Sequence, residues 1–256
     1  MNWNEIFKLH TEFIDESLQI SVFEVEKLNS EIRQCLDENL ISICEGKHSK
    51  TELKIVKRRI LKLFNGKSDE WKMGAIAEFF IHLYMCLTGY TQECMFFNLE
   101  EGSIKKGFDG YYSIDNRQWV MESKAGSILT SNISHKSKIK EAISDLKEKF
   151  EGKAKNNPWQ NAYNHACHCD VGTPADIRKS IKKLSDEYLS NTFYKLDNFN
   201  IIPCATIFLD TTWNPKNKAS IVSEVQEVIK NSDYKRAHLI CVTQGNISIF
   251  NQYIST

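Results

Sequence analysis

Apolar residues recur at helical spacing through SKTELKIVKRRILKLF. Leu53, Val56, Ile60 and Phe64 share one face there, and Lys54, Lys57, Arg58 and Lys62 fall among the outward positions. This pattern predicts a helix over 50–64. With a second helix over 12–39, residues 1–66 form a mainly helical N-terminal region that could serve as a partner-binding segment. Asn65-Gly66 can stop one helix, and Ser68 can cap the next with Asp69 and Glu70 near its positive end. The run EWKMGAIAEFFIHLYMCLTGY is apolar nearly all round, which predicts a buried helix ending at Gly89.

Three strand-like runs follow, at 92–99, 107–114 and 117–124, and Asp115-Asn116 favours a tight hairpin between the last two. The period then returns to helical. Ile139, Ile143, Leu146 and Phe150 line one face of SHKSKIKEAISDLKEKFEG, with charge elsewhere. Residues 152–172 read as irregular, and 173–196 as a helix opening at Thr173-Pro174. A buried strand at 201–210, an amphipathic helix in KASIVSEVQEVIKNS and late strands at 237–243 and 246–253 complete the chain. The expected organisation is an N-terminal region over 1–66 and a mixed α/β domain over 67–256.

Composition narrows the partners. Lys plus Arg and Asp plus Glu are both 33, so no overall field draws the chain to polyanions, and nucleic-acid binding requires a local basic surface. The eight cysteines lie mostly in apolar company, as in IPCATIF and LICVT, where a thiol behaves as a small hydrophobe. No basic segment followed by an apolar run opens the sequence, and no apolar stretch is long enough for a bilayer. A reduced, cytoplasmic protein without a membrane partner is expected.

The chemistry concentrates in GFDGYYSIDNRQWVMESKAGS, residues 107–127. Residues two apart share a face of a strand, so Val120, Glu122 and Lys124 point one way and Trp119, Met121 and Ser123 the other. The bulkier set suits a helix. Across the hairpin, Asp109 can approach Glu122 if the register allows. Two close carboxylates repel unless a cation joins them, and hard oxygen donors of this kind suit Mg²⁺, with Mn²⁺ as a substitute. An ion so held can ionise a water and stabilise charge on a phosphate. Lys124 could orient or help deprotonate that water, or stabilise the phosphorane. Glu78, a carboxylate in the apolar helical run, needs a pairing or a metal to offset its burial. Each residue also has a plain reading: Asp109 as a turn acid beside Gly110, Glu122 and Lys124 as a surface strand pair, Glu78 on an exposed stripe.

At these residues the sequence resembles the PD-(D/E)XK nucleases: Glu78 on a helix, Asp109 before Gly110, then Glu122-Ser123-Lys124 on the next strand. The superfamily's restriction-endonuclease-like αβββαβ core has the same order as the elements expected from 68 to 210, although Phe108 stands where the signature has proline. Within the superfamily, GFDGYY, WVMESKAGS and the Lys-rich helix look most like HamA, the nuclease subunit of the Hachiman anti-phage defence system. That resemblance implies a metal-dependent DNA endonuclease working with a helicase subunit. It implies Asp109 and Glu122 as Mg²⁺ ligands, Glu78 as an auxiliary ligand and Lys124 attending the nucleophilic water. The alternative is a catalytically silent subunit that keeps the nuclease fold as a DNA- or protein-binding module.

For DNA contact the first candidates are Lys136, Lys138 and Lys140, which open the helix after the catalytic strand; reversing the charge of Lys136 and Lys138 is expected to weaken binding. Lys147, Lys149, Lys153 and Lys155 continue the series, with Glu141, Asp145, Glu148 and Glu151 offsetting it, and Arg178, Lys179, Lys182 and Lys183 form a second cluster. A rival metal constellation is NHACHCD, with His165, Cys167, His168, Cys169 and Asp170. It lacks the two-residue gap of paired thiols and a second Cys/His pair nearby, so a polar turn with ordinary thiols is the favoured reading. No nucleophile elbow, Walker loop or dinucleotide fingerprint is present.

Overall fold

The run LQISVFEV, inside a segment expected to be helical, is a central strand. Leu18, Ile20 and Val22 enter one core and Phe23 and Val25 the other. Such a strand, apolar on both faces, belongs inside a sheet that is covered on both sides. In the computed structural model, which describes residues 3–97, 107–210, 212–230 and 232–255, this strand β2 (Leu18–Val25) follows the short helix α1 (Trp3–Ile6) and β1 (His10–Phe13). The helix expected over 12–39 is therefore replaced in its first half by strand: β1 and β2 precede α2 (Ser30–Glu45) and α3 (Leu53–Phe64).

The order continues as α4 (Asp69–Leu87), β3 (Thr91–Gln92), β4 (Gly110–Ile114), β5 (Arg117–Ser127), α5 (His135–Phe150), α6 (Pro158–Ala166), α7 (Ala175–Leu189), β6 (Asn200–Phe208), α8 (Lys218–Ile229), β7 (Arg236–Gln244) and α9 (Ser248–Ile254). The strands form one mixed seven-stranded sheet in the order β1-β2-β7-β6-β5-β4-β3. Pairings β2–β7, β7–β6 and β6–β5 are parallel, while β1–β2, β5–β4 and β4–β3 are antiparallel. The N-terminal strands thus share a sheet with the rest of the chain. The expected αβββα order is present over α4 to α5, with α6 and α7 lying between α5 and the next strand.

Two cores sandwich the sheet. On one face α2, α3, α4 and α9 cover Tyr112, Trp119, Met121, Cys204 and Val242. On the other, α5 to α8 cover Tyr111, Val120, Ile201, Ala205 and Leu239. Among the described residues no helix is long and apolar enough to cross a membrane.

Three further local expectations need correction. The run at 92–99 is a strand only at Thr91–Gln92; the Phe96 and Phe97 amides donate to the Ile43 and Cys44 carbonyls near the end of α2, which takes that backbone out of the sheet. Residues 98 and 99 lie outside the described residues. The stretch at 152–172 contains α6, where Asn157 accepts from the Trp159 and Gln160 amides and Pro158 takes the first turn. The last run is helix α9, because Phe250, Tyr253 and Ile254 reach the core at helical spacing rather than on alternate positions.

Candidate active site

The β4–β5 hairpin sets the site. Asp115 and Asn116 both adopt positive φ, 49° and 58°, the backbone of a tight two-residue hairpin turn. This fixes the register: Gly110 pairs with Met121 and Tyr111 with Val120. Gly110 permits the close approach, since a Cβ there would lie 3.0 Å from the Met121 Cβ and 2.6 Å from the Tyr112 ring. Extending the register by one residue sets Asp109 opposite Glu122. The Asp109 amide donates to the Met121 carbonyl at 3.2 Å, and its Oδ2 accepts from the Ser123 amide at 2.8 Å.

Alternation along β5 places Trp119 and Met121 against α4, and Val120, Glu122 and Lys124 toward α5. That second face is covered. Glu122 is only 2% exposed, and each carboxylate oxygen meets an ammonium: Oε1 faces Lys124 Nζ at 3.2 Å, and Oε2 accepts from Lys149 on α5. Lys124 also pairs with Asp145, one helical turn before Lys149. The ammonium of Lys149 lies 5.9 Å from the centre of the Phe108 ring, next to Asp109.

Electrostatics follow from burial. Desolvation pushes the Glu122 carboxyl up to about 7, the Asp109 charge pushes the same way, and Lys149 and Lys124 pull against both. For Lys124, burial works to lower the pKa, but Glu122, Asp145 and Asp109 outweigh it, and the ammonium is held above its usual range. Lys124 therefore remains a cation and a hydrogen-bond donor near neutral pH.

The sequence-predicted residues divide. Asp109, Glu122 and Lys124 come together. Glu78, buried on α4, belongs to the helix layer on the other face of the sheet, where its Oε1 faces His82 Nε2 at 3.4 Å and His82 in turn meets the Tyr112 hydroxyl. Among the described residues, no set of three His, Cys, Asp or Glu ligand atoms within 4.8 Å includes Glu78, Asp109 or Glu122. Lys136 is paired with Glu227 at 2.6 Å and Lys138 with Glu141 at 2.7 Å, while Lys140 is exposed. Asp145 and Lys149 complete the cluster without having been singled out for it. Their signal was available: they flank Leu146 and Phe150 of the buried stripe, and so sit beside the covered face of α5.

The rival constellation is partly assembled. His168, Cys169 and Asp170 bring their ligand atoms within 4.8 Å of one another. However, His168 Nδ1 is 3.3 Å from the Asp170 amide, and His165 is turned inward, accepting from the Met95 amide through Nδ1.

Asp109 and Glu122 are the oxygen donors here that could take a hard divalent cation, and both Glu122 oxygens are paired with ammonium groups. Fold and site together define an α/β protein carrying an acid-and-lysine cluster on a strand hairpin of a mixed sheet. The model of the HamA family matches residues 4–254, nearly the whole chain, and the chain belongs to that family. Membership sets it in the context of Hachiman anti-phage defence. A search of curated proteins finds no match.

Proposed function

We propose that this chain is a Mg²⁺-dependent DNA endonuclease of the PD-(D/E)XK type, the effector subunit of a defence complex with a helicase. The observation that carries the reading is the meeting of Asp109, Glu122 and Lys124 on one hairpin, with Glu122 buried and its pKa raised beside Asp109. Asp109 and Glu122 are the residues that would hold the ion, and Glu78 stands outside that pair. Mg²⁺ bound there, or Mn²⁺ in its place, would supply an acidified water and a counter-charge for the scissile phosphate.

The chain's own residues account for the rest. The Ser123 amide fixes the Asp109 carboxylate through Oδ2. Asp145 holds Lys124 on the face it shares with Glu122. With its pKa raised, Lys124 serves as a donor that orients the attacking water and neutralises a phosphate oxygen; it does not serve as the base. Lys149 lowers the cost of ionising Glu122 and holds its Oε2 in place.

The test is plasmid nicking by the purified chain with its helicase partner, with and without Mg²⁺. The parent should cut only with Mg²⁺, and Glu122→Gln and Lys124→Met should each lose on the order of a hundredfold or more in rate. Equal cutting by parent and variants removes the assignment of the site. Cutting by none of them favours the silent binding module.

A further inference from the structure

Two of the three lysines that open α5, Lys136 and Lys138, are paired with acids, and the structure offers a second basic surface. Arg178, Lys179, Lys182 and Lys183 on α7, with Tyr163 on α6 and Thr192 beyond, line an open groove of about 660 Å³. Lys182 and Lys183 have acidic partners one turn on, Asp186 and Glu187. Among the described residues, Arg178 and Lys179 have no carboxylate within 4.0 Å, so the groove carries a net positive edge.

The groove is coupled to the hairpin through α6. Trp159, one turn before Tyr163, packs on Phe108 with ring centres 4.7 Å apart and stacks on Phe150 at 5.7 Å. Phe108 precedes Asp109, and Phe150 follows Lys149. The α6–α7 pair therefore lies on the same face of the sheet as Glu122, wedged against both segments that build the cluster.

We propose that the α6–α7 groove, rather than the start of α5, seats the sugar-phosphate backbone of the DNA, with Arg178 and Lys179 as its phosphate contacts. The inference rests on the nuclease reading and names where the substrate lies. Arg178 and Lys179, with no carboxylate partner among the described residues, can displace counterions from phosphates directly, whereas Lys136 and Lys138 would first have to give up Glu227 and Glu141.

The test uses the full chain carrying Glu122→Gln and fluorescent duplex and single-stranded DNA, with anisotropy read at low salt and across a salt series. Arg178→Glu with Lys179→Glu should weaken binding about tenfold or more and flatten the log–log salt slope by about one to two. The milder Arg178→Gln with Lys179→Gln should give a smaller loss in the same direction. Lys136→Glu with Lys138→Glu should lose less than the α7 reversal on both probes. An unchanged affinity and slope in the α7 variants, a larger loss in the α5 variant, or no DNA binding by the parent chain overturns the proposal. Plasmid cutting is scored separately without Glu122→Gln. Intact cutting with an unaltered α7 affinity overturns the groove alone, and loss of metal dependence in the parent overturns the nuclease reading instead.

Discussion

Lys149→Met probes the buried cluster without touching either proposed metal ligand. It deletes one of the two ammonium groups on Glu122 while keeping a long apolar side chain between α5 and Phe108. In the parent the Glu122 pKa rises from 4.5 to about 7, chiefly through burial. Between those values the folded chain keeps a proton that the unfolded chain releases. Stability therefore falls as pH rises through this window, and above it the ionised carboxylate costs the fold about 3 kcal/mol. A charge-assisted hydrogen bond to a carboxylate contributes about 1.5–3 kcal/mol. Its loss lifts the Glu122 pKa by a further one to two units, to about 8–9. At pH 8 the variant should thus be less stable than the parent by about 1–2 kcal/mol, the difference in the work of ionising or protonating the carboxylate. At pH 6 Glu122 is mostly protonated in both proteins, and most of that difference should vanish. Urea unfolding in EDTA at the two pH values measures it. Equal losses at both, or none at either, would refute the claim that Lys149 acts through the charge of Glu122.

Three other outcomes are expected. Gly110→Ala should destabilise the fold by about 1–3 kcal/mol in the same assay, because the new methyl meets the Met121 and Tyr112 side chains. His238 is buried on β7, between the Ser21 and Tyr90 hydroxyls, with its pKa lowered from 6.5 to about 3 by desolvation. A depressed histidine loses stability as pH falls, so His238→Gln should remove about 2 kcal/mol of the acid sensitivity between pH 6.5 and 5, read as a flatter unfolding profile than the parent's. Asn116→Gly should raise stability by a few tenths to about 1 kcal/mol, since glycine suits the positive φ of the turn without strain.

The hairpin was legible in the sequence because its determinants are local. A turn dipeptide, alternation on both sides and a glycine at the crossing fix the register that pairs Asp109 with Glu122. The N-terminal strands were not. LQISVFEV is apolar on both faces, so the period of two is blurred, and only pairing with β7 from the far end of the chain declares it a strand. The terminal helix was missed for a related reason: its three core residues in a short window suit either period until tertiary contacts decide. In the site, Asp145 and Lys149 read only as charges of a helix face, because their role depends on how α5 docks across β5. The amphipathic pattern says that α5 docks, but not which side chains border the seam. Glu78 shows the converse. Its burial was foreseen as a cost needing a partner, and one partner is His82, one turn along its own helix.

Mn²⁺ binding followed by electron paramagnetic resonance tests the central claim most directly, since it asks whether Asp109 and Glu122 together make a metal site without requiring turnover, DNA or the helicase. The parent chain should bind one ion, and Asp109→Asn and Glu122→Gln should each abolish that binding while both variants stay folded. Retained binding in either variant, or a parent that leaves all Mn²⁺ free, would contradict the account.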